Sequence, residues 1–394
     1  MPEKPPLLLH SNAPFSGTGY GQQCSLFALR LKEHYALSIS AYYGVEGAVI
    51  PWNGIPLLPG IANTHGNETI LEHARTVFGR GQERDGLTVT LMDVWVLDPN
   101  VWSQLNTACW VPVDHEPAPR PVVDYFRASG SIPIAMSKFG QEMLADLDPL
   151  YVPHGVDTKV YAPQPKDESR EELGLPDDFI VGMVAANKGN PSRKCFVEAF
   201  QAFKLFLGKH RKAKLYLHTE ASGRFQGVNL PQALADVGVP PEAVIYCDQY
   251  RSAHFPFPDE HMAKVYSSLD VLLSPSAGEG FGIPVIEAQA CGTPVIVSDF
   301  SAQPELVGAG WTVKGTKTYT PIGSWQLRPD VPDIAEALEA AYEAREDDAF
   351  PVSARDKALA YDAEVVFNDY MLPALQEAQE RFDARKPTPL RLAA

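Results

Sequence analysis

Val271-Leu-Leu-Ser-Pro-Ser-Ala-Gly-Glu-Gly-Phe-Gly-Ile-Pro-Val-Ile-Glu287 is the stretch that decides the fold. It reads as strand, glycine loop, helix. Residues 271–274 are an apolar run of strand length. Residues 284–290 have helical character, with Pro284 suited to the first turn and Gly292 to the C-terminal cap. Between them Gly278, Gly280 and Gly282 let the backbone approach a ligand closely, and their amides with the helix N-terminus can hold anionic oxygens. Two carboxylates frame this cradle. Glu279 lies on the loop, and Glu287 about one turn into the helix, among Val285, Ile286, Ala288 and Ala290. An unpaired charge in such apolar company is costly, so Glu287 reads as a functional group rather than a surface charge. A carboxylate can accept from two neighbouring hydroxyls at once, as sugars present them.

Outward from this stretch, strand and helix patterns alternate as in parallel-sheet α/β layers. The first half offers strands at 6–9, 37–41, 88–91, 108–112 and 132–135, with helices at 21–34 and 137–147. Residues 152–172, rich in Pro, Gly and charge, read as a linker. A second set follows: strands at 179–185, 213–218, 243–247, 271–274 and 294–298, and helices at 194–208, 261–268 and 284–290. Residues 332–346 and 363–384 read as long amphipathic helices, and the last nine residues as loose. The 394 residues suit two α/β domains facing a cleft, whose ligands sit at the carboxyl ends of the strands.

The net charge of −16 disfavours adhesion to a polyanion, and the first 150 residues, with 9 Lys/Arg and 15 Asp/Glu, show no broad basic face. The amino terminus reads as a first strand rather than a signal peptide, and no apolar run reaches membrane-span length. Five scattered cysteines suggest reduced thiols in a cytoplasm.

Three further constellations end strands. Asn187-Lys-Gly-Asn-Pro-Ser-Arg-Lys194 carries cations into a helix start, as suits a diphosphate. Ser16-Gly-Thr-Gly-Tyr-Gly21 is a glycine loop without the dinucleotide fingerprint. Trp110-Val-Pro-Val-Asp-His-Glu116 ends a strand of the first domain, and Asp93 ends another. Asp146-Leu-Asp148 falls at a helix end and is not read as a metal site.

The 265–299 segment resembles the Glu-x7-Glu region of retaining glycosyltransferases of family 4, which have the two-domain GT-B fold. Pro153-His-Gly-Val-Asp157 resembles their interdomain turn, with His154 where Asn is commoner. The resemblance implies an acceptor-side Rossmann-like domain at 1–155, a nucleotide-sugar domain at 156–362, and a C-terminal segment 363–394 whose helix returns to the first domain. It implies that Glu287 binds the ribose and Glu279 the hexose. The amides of Gly280, Phe281 and Gly282 would steady the donor, with Gly17, Gly19 and Asn187 also on the donor. Arg193 and Lys194 would neutralise the leaving diphosphate, and His115 would touch the donor sugar near the reacting carbon. Asp114 and Asp93 would serve the acceptor. No cofactor or metal is implied, and the expected donor is a UDP-sugar rather than a GDP-sugar. The expected partners are that donor and a hydroxyl acceptor: a sugar, a metabolite, a protein or a modified DNA base. The first-domain motifs also resemble those of phage-encoded members, which raises hydroxymethylated DNA as an acceptor. Rival readings are a dinucleotide-dependent oxidoreductase at the first glycine loop and a nucleotide-sugar-binding protein without transfer.

Overall fold

The computed structural model describes residues 4–61 and 65–385. Two sheets carry the chain. The first runs in the order β3-β4-β2-β1-β5-β6-β7-β8 and the second β11-β10-β9-β12-β13-β14. In sequence these are β1 (Pro6–Asn12), β2 (Ala36–Glu46), β3 (Ile50–Trp52), β4 (Ile55–Gly60), β5 (Leu87–Leu91), β6 (Asn106–Val111), β7 (Ile132–Ala135) and β8 (Leu150–Tyr151). The second set is β9 (Ile180–Val184), β10 (Lys214–His218), β11 (Val244–Tyr246), β12 (Val271–Ser274), β13 (Val295–Ser298) and β14 (Gly310–Val313). Apart from the β3–β4 pair, neighbours in both sheets are parallel. Such strands are buried on both faces, which is why they read as nearly continuous Val/Ile/Leu runs.

The cores follow from helix spacing. In the Phe196–Lys209 helix, Phe196, Phe200, Phe203 and Phe206 recur every three or four residues and are all fully buried on the second sheet. Each such ring contributes roughly 1.5–3 kcal/mol of hydrophobic stabilisation. Phe27 and Trp110 meet edge to face under the first sheet, at 5.6 Å between ring centres.

Strand order places the site. In the first sheet the order reverses between β1 and β5, and in the second between β9 and β12. Crevices at such reversals, outside the carboxyl ends of the strands, are where open α/β sheets bind ligands. The segments leaving these four strands are 13–18, 92–93, 185–195 and 275–282; they hold nine of the thirteen candidate site residues, while Asp114 and His115 follow β6 and Gly19 and Glu287 lie in the helices that come next.

Among the departures from the expected elements, four have a clear physical reason or bear on the site. Strands β3 and β4 carry Pro51, Pro56 and Pro59, residues confined to sheet margins because they cannot donate to a ladder. Part of the expected linker is the Lys166–Leu173 helix, with Asp167 and Glu168 in its first turn and Gly174 left-handed at its C-cap. The 363–384 helix is divided by a wider π turn at Phe367–Met371, just before Pro373, which lacks the N–H an α turn would use. An antiparallel hairpin, β15 (Gly315–Tyr319) with β16 (Trp325–Pro329), was not foreseen. The expectation about the last nine residues concerns positions outside the described residues.

The chain crosses between domains twice, side by side. Val156 N–H donates to Tyr361 O at 2.9 Å, and Ala363 N–H donates to Val156 O at 3.0 Å. Beyond the second crossing the Leu372–Ala384 helix lies on the first domain, where the Arg381 guanidinium donates to Asp148 O at 2.8 Å. That pairing also occupies Asp148 of the Asp146-Leu-Asp148 triplet. Among the described residues no helix is long and apolar enough to cross a membrane. All five cysteines are free and buried.

Candidate active site between the two domains

Glu279 is the centre of the site and is 7 % exposed. Its Oε2 accepts from Arg193 Nη1 at 2.7 Å, and its Oε1 accepts from Lys194 Nζ. Arg193 Nη1 also donates to Gly278 O at 2.6 Å, and Ala277 N–H donates to Arg193 O at 2.7 Å. The loops after β9 and β12 are thus stitched together. Burial alone would raise the Glu279 carboxyl, but the two cations override it and hold it far below the ordinary carboxylate range. Burial and the neighbouring Arg193 charge lower the Lys194 ammonium despite its pairing with Glu279. The sequence reading gave sugar binding to Glu279 and the diphosphate to the cations separately. The folded chain makes them one ion cluster around the buried Glu279 carboxylate.

The glycines of this loop have specific work. Gly282 sits at φ 119°, a region that other residues avoid, and starts the Ile283–Ala290 helix. At Gly280 a Cβ would fall 2.3 Å from Pro112 Cβ, so only a glycine lets the two domains meet there. Phe281 is buried, its ring 5.2 Å from His154 of the interdomain turn. Only its backbone is placed to serve a ligand.

Glu287 is buried inside the helix, and each of its oxygens accepts a hydrogen bond. Its Oε2 accepts from Tyr266 OH at 2.7 Å and its Oε1 from Gln22 Nε2 at 2.6 Å. Burial raises its carboxyl above the ordinary range, against the pull of these hydrogen bonds. Gln22 comes from the Gly19–His34 helix of the other domain. Gln22 thus reaches Glu287 across the cleft at 2.6 Å. That helix begins at Gly19 because the Thr18 hydroxyl accepts from Gly21 N–H at 3.0 Å. Gly17 and Gly19 face the second domain at Pro256 and Ile283.

From the first domain, Asp114 and His115 approach the cluster. His115 Nδ1 lies 2.6 Å from Asp114 Oδ1. A carboxylate only accepts, so Nδ1 carries the hydrogen and Nε2 of a neutral ring presents a lone pair. Burial alone would raise the Asp114 carboxyl, but the His115 hydrogen bond and the Arg193 charge bring it below the ordinary range. Asp93 accepts from Tyr20 OH at 3.0 Å and, through burial and the Asp114 charge, is raised.

The hairpin holds the His115 loop. Glu116 N–H donates to Trp325 O at 3.0 Å, Trp325 N–H donates back to Glu116 O at 2.9 Å, and Ser324 Oγ donates to Pro117 O. Leu327 N–H donates to Ala277 O at 2.9 Å, so one hairpin braces both the His115 and the Glu279 loops. Glu305 accepts from Lys138 N–H at 2.9 Å and from Phe139 N–H at 3.2 Å, closing the domains at a second point.

Asn187 takes a different part from the one expected. Its amide donates to Glu220 O and Val228 O and accepts from Val228 N–H, so the side chain braces the 220–228 loop. Tyr20, Gln22, Tyr266, the hairpin and Ser301, whose Oγ accepts from Glu279 N–H at 2.9 Å, were missed. Tyr266 reads as one more apolar position of an amphipathic helix, and Gln22 as an ordinary surface residue. No local pattern marks them, because their partners lie far away in the chain. Several buried polar atoms at strand ends have no protein partner among the described residues: Asn12 Oδ1, Ser16 Oγ, Ser276 Oγ and Ser298 Oγ. Such groups are rare in folded chains and are natural points for a ligand to engage.

Residues 180–343 match the glycosyl transferases group 1 family model. D-inositol 3-phosphate glycosyltransferase from Stackebrandtia nassauensis is 32% identical over 160 residues, which is 39% of this chain and 34% of that protein. The chain spans about a third to a half of the length of the curated relatives it matches. Sucrose-phosphate synthase from Thermosynechococcus elongatus superposes over 97% of this chain and 100% of its own, with a TM-score of 0.68 at 17% identity. The Anabaena protein HepE in complex with UDP-glucose superposes over 96% and 99%, with a TM-score of 0.64 at 16% identity. Residues 180–343 thus carry the match to the glycosyl transferases group 1 model, and the chain as a whole shares the two-domain GT-B fold of these solved structures.

Proposed function

We propose that this chain is a retaining glycosyltransferase of family 4 that moves a hexose from a UDP-sugar to an acceptor hydroxyl without a metal ion. One observation carries the reading: Arg193 and Lys194 converge on Glu279, next to the start of the Ile283–Ala290 helix and opposite Asp114 and His115. The cations keep capacity for a diphosphate. Glu279 and Gly278 engage only Nη1 of Arg193, which leaves its Nε and Nη2 hydrogens, and Lys194 has hydrogens beyond the one given to Glu279. HepE has been crystallised with UDP-glucose, which supports a uridine donor.

In this reading Glu287 takes the ribose hydroxyls in place of Gln22, and Glu279 holds the hexose hydroxyls. The amides of Gly280, Phe281 and Gly282 lie along the donor. The bond from the anomeric carbon to the diphosphate oxygen breaks, and the acceptor oxygen bonds to the same face of that carbon. The acceptor proton passes to a leaving phosphate oxygen, while Arg193 and Lys194 stabilise the charge gathering there. His115, oriented by Asp114, sits against the donor sugar. Phosphate charge answered by side-chain cations is the reason to expect metal independence.

The direct test incubates the full chain with a panel of nucleotide sugars and follows slow donor hydrolysis. Consumption of a UDP-hexose is the expected result, and consumption of none refutes the reading. The same turnover should persist in excess chelator. Loss that only an added divalent ion restores would remove the metal-free mechanism. His115→Ala should lower kcat about 100-fold with donor Kd within twofold, by the size of effect seen for single positioned polar groups. Wild-type turnover in that variant would take His115 out of the site.

A further inference from the structure

We infer that the acceptor is an uncharged polyhydroxylated ring, a free carbohydrate or cyclic polyol, and not a phosphorylated sugar or a nucleic acid. This rests on the glycosyl-transfer reading above and narrows it. The carboxyl-end segments of β1, β2, β5 and β6 form the first domain's side of the site. Their described residues 13–18, 42–49, 92–98 and 112–119 contain no Lys or Arg, and they contain Glu46, Asp93, Asp98, Asp114 and Glu116. On the opposite side cations outnumber carboxylates: the segments after β9, β10 and β11 supply Lys188, Arg193, Lys194, Arg224 and Arg251 against Glu220 and Asp248. Cations thus gather where a diphosphate would lie, and carboxylates where the acceptor would enter.

Phosphate recognition calls for Arg, Lys or a cradle of amides, and a phosphate brought beside Asp93 and Asp114 meets like charge. The nearest cations have other duties: Arg193 pairs with Glu279 and turns its free hydrogens to the donor diphosphate in the reading above, and Lys317 pairs with Glu116. Neutral hydroxyls suit the same surface, because carboxylates accept from them in pairs. A second observation points the same way. Asn12, only 6 % exposed at the end of β1, leaves Oδ1 without a protein donor, and Ser16 Oγ nearby is likewise buried and unpartnered. Exposed rings line the same edge: Phe15 at 47 %, Tyr43 at 58 % and Trp95 at 56 %. An aromatic face beside carboxylates suits the apolar face and polar rim of a sugar ring.

The test supplies the full chain with UDP-glucose, or whichever donor the hydrolysis panel identifies. It then adds free mono- and disaccharides and cyclic polyols beside their phosphorylated counterparts, glucose with glucose 6-phosphate and inositol with inositol 3-phosphate included. A duplex containing 5-hydroxymethylcytosine forms a further arm. At least one neutral compound should accelerate donor consumption, with kcat/KM roughly tenfold or more above its phosphorylated partner. Preference for the phosphorylated partner, preference for the duplex, or acceleration by no neutral compound overturns the inference. Trp95→Ala should raise KM for the neutral acceptor roughly tenfold, the scale of losing an aromatic anchor. An unchanged KM removes the ring platform. Donor consumption in water alone separates the two levels. A chain that consumes donor yet prefers anionic acceptors loses only the acceptor class, whereas one that neither binds nor consumes any nucleotide sugar loses the transfer reading as well.

Discussion

Glu279→Gln should lower sugar transfer by at least about 100-fold and destabilise the fold by about 3 kcal/mol at neutral pH. The wild-type carboxylate answers both Arg193 and Lys194. A neutral amide leaves two cations facing each other in a partly buried site. The stability cost sits at the low end of the range for breaking a buried pair, because the Arg193 side chain is 44% exposed and solvent screens part of the repulsion. Urea unfolding measures one effect and donor turnover the other. The pH dependence has a definite sign. The folded carboxyl lies far below its unfolded value of 4.5. Its stabilisation is complete above about pH 4.5 and is lost as pH falls below it towards the folded value. Wild type should therefore lose stability more steeply than Glu279→Gln on acidification below pH 4.5. Parallel acid profiles would show that the cluster is not held by charge.

Glu287→Ala should weaken UDP binding about 10- to 100-fold and leave a weaker mark on the chemical step. One or two hydrogen bonds from a ribose to a charged acceptor, at roughly 1.5–3 kcal/mol each, set that range. The loss is moderated because the ligand must displace Gln22, so each ribose bond formed replaces one already made. The same substitution leaves the buried Tyr266 hydroxyl without an acceptor, which should cost about 1–3 kcal/mol of stability. Calorimetric titration with UDP reads the first effect and thermal unfolding the second. Unchanged UDP affinity would sink the ribose role, whatever the stability does.

These residues differ in how far they could be read from the sequence. Glu287 stood out because a charge among Val285, Ile286 and Ala288 demands a partner, and burial penalises every alternative. The loop before it stood out because three glycines in five residues serve no helix or strand. The cations at 193–194 were visible as charge opening a helix. In each case a local physical cost marked the position. Gln22, Tyr20 and Tyr266 carry no such local cost. The hairpin at 315–329 was missed because its strands are short, mostly exposed and stabilised by Glu116 and Ala277 from distant parts of the chain.

The sequence by itself determined the two-domain α/β character, the glycine loop at 275–282 with Glu279 and Glu287 beside it, and the cations at 193–194 that open a helix. Periodicity, glycine freedom and the cost of buried charge act over a few residues, so they are written locally. Only the tertiary structure decided that Glu279, Arg193 and Lys194 are one ion cluster, that Asn187 is a brace, and that Gln22 stands on Glu287. It also decided that the strand ends carrying Asp93, Asp114 and Glu116 share one side of the cleft. Strand order decides those things: β1 meets β5 and β9 meets β12 only in the folded sheets. Two crossings of the chain, at 156 and 362, then bring the four strand ends together. Charges separated by 85 residues or more acquire their meaning from that register, which no local pattern encodes.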